Sequence, residues 1–397
     1  MDQRIYLDHA GTTPTDPRVI QAMLPYLMDL WGNPSGIYYE AREARKGLDA
    51  ARRSVAEVLG ARPTEVIFTS SGTESDNLAL RGAAYANRRR GDHIITSAIE
   101  HHAVLHAAQR LEQEGFRVTY LPVDGWGLVH PETLEQALDD QTILVSIMHA
   151  NNEVGTIQPI AELARPVKAR SRHIIFHTDA VQSAGSLDVH VERLGVDMLS
   201  IAAHKIYGPK GVGALYVRAG TPFLPQMLGG SQEKNRRAGT ENVAGAVGLA
   251  AALRLAHDEL EARNAQCRAL RDRLMAEMPR RVPGIHITGP TDPDLRLSNS
   301  FSCCFERVEG EAVLLQLDLV GIAASSGSAC TTASLEPSHV LIALGIPEEL
   351  SRGSLRVTVG KGNTTEEIDR LLEVIPDIVR GLRALSPLAS TGSMGLS

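Results

Sequence analysis

The chain has 397 residues, with 40 Lys+Arg against 47 Asp+Glu, a formal charge of −7, 43% hydrophobic and 22% charged residues. These proportions exclude a disordered, collagen-like or coiled-coil protein, and the acidic balance argues against direct nucleic-acid binding, which needs a basic excess to neutralise phosphates. Four cysteines, Cys267, Cys303, Cys304 and Cys330, are too few for a disulfide framework and show no CxxC spacing for zinc.

A reducing, cytoplasmic setting follows as the expectation. The N-terminal run MDQRIYLDHAGTTP lacks the basic start and apolar core of a signal peptide. The longest apolar stretch, residues 244–253, falls well short of the roughly 20 residues that cross a bilayer, so no membrane association is expected. The length suggests two or three domains.

From residue 65 to 218, short β-branched runs alternate with helical stretches, the pattern of a mainly parallel sheet flanked by helices. Strands are predicted at 65–69, 93–98, 118–123, 142–148, 173–177, 198–201 and 214–217, with helices at 74–88, 102–114, 131–138 and 160–171. A long helix is predicted over 242–278, ended by the Pro/Gly-rich run from Pro279 to Pro290. An α+β segment follows: strands at 299–305, 322–325 and 354–359, and helices at 309–319, 338–344 and 365–385. Residues 386–397 have no periodicity and read as a frayed tail.

Five polar clusters fall at the C-terminal ends of predicted strands: Ser70 to Thr73, Glu100 to His102, Asn151 to Glu153, Asp179 with Gln182, and His204-Lys205. Ligands of open α/β sheets bind at that edge. The run from Ser70 to Thr73 leads into a helix and offers backbone N–H groups to a phosphate, or Ser71 simply caps the helix. Lys205 closes an apolar strand, where burial can lower an amine's pKa into the range that attacks carbonyl groups, or the side chain snorkels to water. Asp179 closes another strand, either capping the next helix or pairing with a cationic ring nitrogen. Lysine, strand-end aspartate and phosphate turn together make the parts of a pyridoxal phosphate site.

His101 could stack on a ring or move protons. His102 and His106 are spaced i,i+4 but lack a third ligand, so no metal site is expected. Cys303 and Cys304 lie in an alternating strand, so at least one faces a core. Cys330 differs: it sits in Ser325-Ser-Gly-Ser-Ala-Cys-Thr-Thr-Ala-Ser334, a run too small to pack a core, which suits an accessible thiol. Arg356 either grips a substrate carboxylate or makes a structural ion pair.

These segments, with Tyr6-Leu-Asp8, Gly32-Asn-Pro-Ser35, Asn151-Asn-Glu153, His177 to Gln182, His204 to Gly211, Arg236 to Asn242 and Ser334-Leu-Glu-Pro-Ser338, resemble the group I cysteine desulfurases, fold-type I pyridoxal phosphate enzymes that supply sulfur for iron–sulfur clusters. The resemblance implies an α/β large domain over 15–258, a smaller α+β domain from 1–14 and 259–385, and a homodimer. It implies that Lys205 holds the cofactor and then carries protons, that Asp179 pairs with the ring nitrogen and Gln182 with the ring oxygen, and that His101 stacks on the ring. Gly72, Thr73 and His204 would cradle the phosphate, joined by Thr240 of a second subunit. Asn152, Arg356 and Asn33 would orient the carboxylate of L-cysteine. Cys330 would take the substrate sulfur as a persulfide, release L-alanine and pass the sulfur to an iron–sulfur scaffold or another acceptor protein.

The chain departs from the family pattern in four places. Ala202 stands where a phosphate-binding serine is usual, and Gly11 where an alanine is usual. A customary histidine is missing near Ile37-Tyr-Tyr-Glu40, and Val359-Gly-Lys-Gly-Asn363 replaces the usual run after Arg356. Alternatives consistent with the sequence are a selenocysteine lyase, a cysteine-sulfinate-acting relative, or a weakly catalytic scaffold for sulfur-assembly partners.

Overall fold

The structure is a computed structural model and describes residues 4–327 and 337–385. Among these residues, seven strands form the main sheet in the order Val66–Thr69, Gly213–Val217, Met198–Ala202, Ile175–Asp179, Thr142–Ser146, His93–Ser97, Arg117–Leu121. Gly213–Val217 runs antiparallel to both neighbours, and the remaining pairs are parallel. This is the mainly parallel sheet that the alternating pattern predicts.

Side chains alternate across the sheet with a period of two. Ile94, Leu144 and Ile175 pack under the helices Gly72–Asn87 and His102–Gln113. Their neighbours Ile95, Val145 and Phe176 face the other core, built with the helices Tyr39–Leu59, Ile160–Arg170 and Val243–Asp258. Both faces of the sheet are therefore buried, and its carboxyl edge is left for polar groups.

The later part of the chain forms a three-stranded antiparallel sheet with Ser300–Phe305 in the middle, between Ser354–Thr358 and Ile285–Ile287. Both of its cysteines are buried: Cys303 joins Phe301 and Leu274 on one face, and Cys304 joins Met148 and Leu341 on the other. The chain's start is sewn to this region. Ile5–Tyr6 pairs in parallel with Ile322–Ala323, and Leu7 enters the same core as Cys303.

Several boundaries differ from the sequence reading. The strand expected at 173–177 is Ile175–Asp179, which makes Asp179 itself its last residue. The single helix expected over 242–278 is two, Val243–Asp258 and Leu260–Arg281. The break falls at Glu259, whose carboxylate accepts from Arg18 at 2.6 Å and from Arg263 at 2.6 Å. The second of these helices also runs past Pro279 into its final turn. The helices Pro17–Met28 and Tyr39–Leu59 and the strand Ile285–Ile287 are not among the predicted elements, although Asp16 before Pro17 is a helix-start signal.

One buried ion pair fastens the segment after the main sheet to its edge strand. Arg52 meets Glu233 through two bonds of 2.6 and 2.7 Å, and it also donates to the carbonyl of Val66. Glu233 accepts in turn from the Phe68 N–H at 3.1 Å, while the Arg52 guanidinium lies 4.8 Å from the centre of the Phe68 ring. Removing one partner strands the other charge without water. Glu233→Ala should therefore lower the unfolding free energy by about 3 to 5 kcal/mol in a denaturant titration, and a loss below about 1 kcal/mol would contradict this reading of the pair.

Candidate active site

The expected polar clusters converge on the carboxyl edge of the main sheet. Lys205 ends the short turn Ala203–Lys205 that follows the strand Met198–Ala202. Its ammonium donates to the carbonyl of Ala10 and, at 2.8 Å, to that of Gly11. Gln182 Nε2 reaches the same Ala10 carbonyl at 3.0 Å. Thr13 donates to the His204 carbonyl from both its N–H and its hydroxyl, each at 2.9 Å, and Thr12 Oγ1 lies 3.1 Å from His204 Nδ1. The N-terminal segment is thus clasped around the lysine turn.

Asp179 is buried at the end of the neighbouring strand and accepts from the Val181 N–H at 2.8 Å. Burial pushes its carboxyl up to about 6, against the opposing pull of that N–H and of Lys205. His101 caps the helix His102–Gln113, with Nδ1 accepting from the Ala103 N–H at 3.1 Å, so the ring hydrogen sits on Nε2. Burial, reinforced by the charge of Lys205, lowers its pKa to about 4. The ring is neutral at physiological pH.

The phosphate turn and the helix cap are one structure, so the two readings of Ser71 are compatible. Ser71 is extended at the N-cap and its hydroxyl accepts from the Glu74 N–H at 3.1 Å, opening the helix with Gly72 and Thr73. A Cβ on Gly72 would stand 2.7 Å from a Val181 methyl and 3.6 Å from the Ala202 Cβ, so position 202 does face this turn. A Cβ on Gly213 would stand 2.7 Å from the Ser71 carbonyl carbon. Glu74 closes the turn by accepting from the Ser70 N–H at 2.7 Å and from Arg237 at 2.8 Å.

These residues fit pyridoxal phosphate. A buried carboxyl short of positive charge suits a protonated ring nitrogen, the helix start at Gly72 suits a phosphate, and an amine stands between them at the strand end.

The remaining predicted residues are placed less uniformly. Arg356 is 3% exposed and already engaged, with Nη2 2.7 Å from Asp8 Oδ1 and Nη1 2.8 Å from the Asn152 carbonyl. The sequence offered a structural ion pair as the alternative to a substrate grip, and Asp8 supplies that pair. Asn33 stands exposed with its side chain accepting from Ser35 N–H, and no described contact joins it to the lysine cluster. Thr240 is exposed before the helix Val243–Asp258. Cys330 lies outside the described residues.

The sequence reading does not include the carbonyls of Ala10 and Gly11 as partners of Lys205, or the buried acid Asp76, while Glu100, placed there in a polar cluster, proves to be fully buried. Asp8, quoted in the N-terminal motif, gave no sign of its pairing with Arg356.

The model of the family described as Aminotransferase class-V matches residues 5–371. The chain belongs to that family. Pyridoxal phosphate is the family's cofactor, and the fold is that of its type I enzymes. The chain is 51% identical to "Cysteine desulfurase IscS" of Methanosarcina thermophila, covering 98% of this chain and 95% of that one. It is 50% identical to the protein of the same name from Dictyoglomus turgidum, over 98% and 97%. Among solved structures it is similar to a NifS-like protein, with a TM-score of 0.90, 39% identity, and coverage of 96% and 100%. It is also similar to "SspA in complex with cysteine", with a TM-score of 0.79, 36% identity, and coverage of 91% and 100%.

Within this class-V site, Ala202 removes a hydroxyl that would point toward Gly72. Ala202→Ser should tighten retention of pyridoxal phosphate about tenfold, the worth of one hydrogen bond to a charged group, as read by cofactor titration of stripped protein. An unchanged or weaker dissociation constant would contradict this placement of residue 202.

Proposed function

We propose that the protein is a pyridoxal phosphate-dependent cysteine desulfurase that converts L-cysteine to L-alanine and carries the sulfur on Cys330. The observation that supports this most is the joining of Lys205, Asp179 and the Gly72 turn at one sheet edge, in a chain half identical to relatives named as cysteine desulfurases. A relative solved in complex with cysteine supports the substrate class.

When bound, the cofactor supplies an electron sink for the substrate's α-carbon. Lys205 is placed to hold it covalently and then, once released, to move a proton to and from that carbon. Asp179 stabilises a positive ring nitrogen, and neutral His101 offers a flat ring and a proton-transfer group. The Cys330 thiolate would attack the sulfur of the substrate; the bond between that sulfur and the β-carbon breaks with its electron pair going to the β-carbon, which takes a proton, the α-carbon regains its proton through Lys205, alanine leaves, and the sulfur stays on Cys330 as a persulfide.

In this reading Arg356 orients the substrate carboxylate together with Asn152 and Asn33, which requires it to exchange or share Asp8. Thr240, exposed in one chain, completes the phosphate cradle of a second copy in a homodimer. The large domain spans 15–258 and the small one 1–14 with 259–385. The sulfur acceptor is a protein of iron–sulfur assembly or another thiol carrier, and the setting is cytoplasmic. Among the described residues no helix is long and apolar enough to cross a membrane.

Cys330→Ala should keep the cofactor's visible absorbance and lose at least about 100-fold in sulfide and alanine production from L-cysteine, because the nucleophile is gone while Lys205 remains. Undiminished sulfide release by this variant would overturn the assignment.

A further inference from the structure

Behind Asp179 lies a group of buried acids for which the proposed chemistry has no use. Asp76, one turn into the helix Gly72–Asn87, is 1% exposed, and Glu100 is fully buried. Each has a carboxyl oxygen that meets no hydrogen-bond donor, Oδ1 of Asp76 and Oε2 of Glu100. The second oxygen of Glu100 is satisfied by the Ser97 hydroxyl at 2.5 Å and the Met148 N–H at 2.9 Å.

The groups that face Asp76 come from three directions. Ser200, on the strand Met198–Ala202, sits in register beside Asp179 and favours the charged form of the Asp76 carboxyl, against the effect of burial. His177, on the strand that ends in Asp179, brings Nε2 to 3.6 Å from Asp76 Oδ1. Asp179 and Glu100 both add negative potential. His177 supplies no positive charge: its ring is held between Ser146 Oγ at 2.8 Å and Ser200 Oγ at 3.0 Å, and burial lowers its pKa to about 3. Among the described residues, no Lys or Arg forms an ion pair with Asp76 or Glu100.

Neighbouring carboxylates in a dry region cannot all be ionised. Asp179 has the stronger claim to charge, since it accepts the Val181 N–H and feels Lys205. Asp76 has neither support. We propose that the Asp76 carboxyl group keeps the proton of this buried acid group near neutral pH and leaves Asp179 as the anion that meets the ring nitrogen. The inference rests on the pyridoxal phosphate reading of the site. Burial, with Asp179 and Glu100 adding to it, raises Asp76 well above the usual carboxylate range, and burial pushes Glu100 up to about 8.

The test is infrared spectroscopy of the full-length protein near pH 7, with and without pyridoxal phosphate, because a protonated buried carboxyl gives a C=O stretch distinct from the carboxylate bands. Asp76→Asn should remove one such band, Glu100→Gln should remove a different one, and Ser200→Ala should shift the Asp76 band while retaining it. In Asp76→Asn holoprotein, nitrogen NMR of ring-labelled cofactor should still report a protonated ring nitrogen, and the dissociation constant should change by less than about threefold. A carboxyl region unaltered by Asp76→Asn, a band unmoved by Ser200→Ala, or a ring nitrogen that becomes unprotonated would each overturn the proposal. The bands are read in stripped protein as well, so failure here is distinct from failure of the cofactor reading, in which no pyridoxal phosphate binds.

Discussion

A carboxyl group buried at the end of a strand is unstable as an anion unless something positive arrives to meet it. Asp179 sets that condition for the whole site. Its backbone lies in the middle of a sheet packed on both faces, so it cannot swing out to water. Its only cationic neighbour among the groups that shift it is Lys205, whose ammonium is turned to the carbonyls of Ala10 and Gly11. Pyridoxal phosphate, the family's cofactor, carries a ring nitrogen that can bring further positive charge to this carboxyl and a phosphate that suits the helix start at Gly72.

The architecture delivers these groups from distant parts of the chain. Parallel strands set Asp179 in register beside Ser200, and the turn that carries Lys205 leaves the end of the Ser200 strand, while Gly213 on the next strand lets the Ser71 turn approach at backbone distance. The N-terminal segment then crosses from the later core, where Leu7 is anchored, to the lysine turn, where Thr13 holds the His204 carbonyl. Asp8 on that segment carries the ion pair to Arg356. Arg356 and the N-terminal segment are therefore joined through one carboxylate.

Most of the sheet was legible because its strands are short, largely apolar and β-branched runs, and polar clusters lie at or just beyond the ends of five of them. The direction of Gly213–Val217 was also encoded: only ten residues, 203 to 212, separate it from the preceding strand, too few for a parallel crossover. The partners of Lys205 were not legible in this way, since a carbonyl 194 or 195 residues away carries no side-chain signal. The burial of Asp76 and Glu100 was not legible either, because sequence spacing gives no measure of how completely the fold encloses a carboxyl group. The helix break at Glu259 was hidden for a related reason: the residues on either side keep helical periodicity, and the interruption is made by arginines that bond to Glu259, one of them more than 200 residues earlier in the chain.

Lys205 is the residue proposed to hold pyridoxal phosphate. Purified holoprotein would be reduced with borohydride, digested, and mapped by mass spectrometry for the phosphopyridoxyl mass. The modification should appear on the peptide containing Lys205 and on no other lysine. A modification on Lys210, Lys361 or another lysine, with Lys205 unmodified, would contradict that assignment.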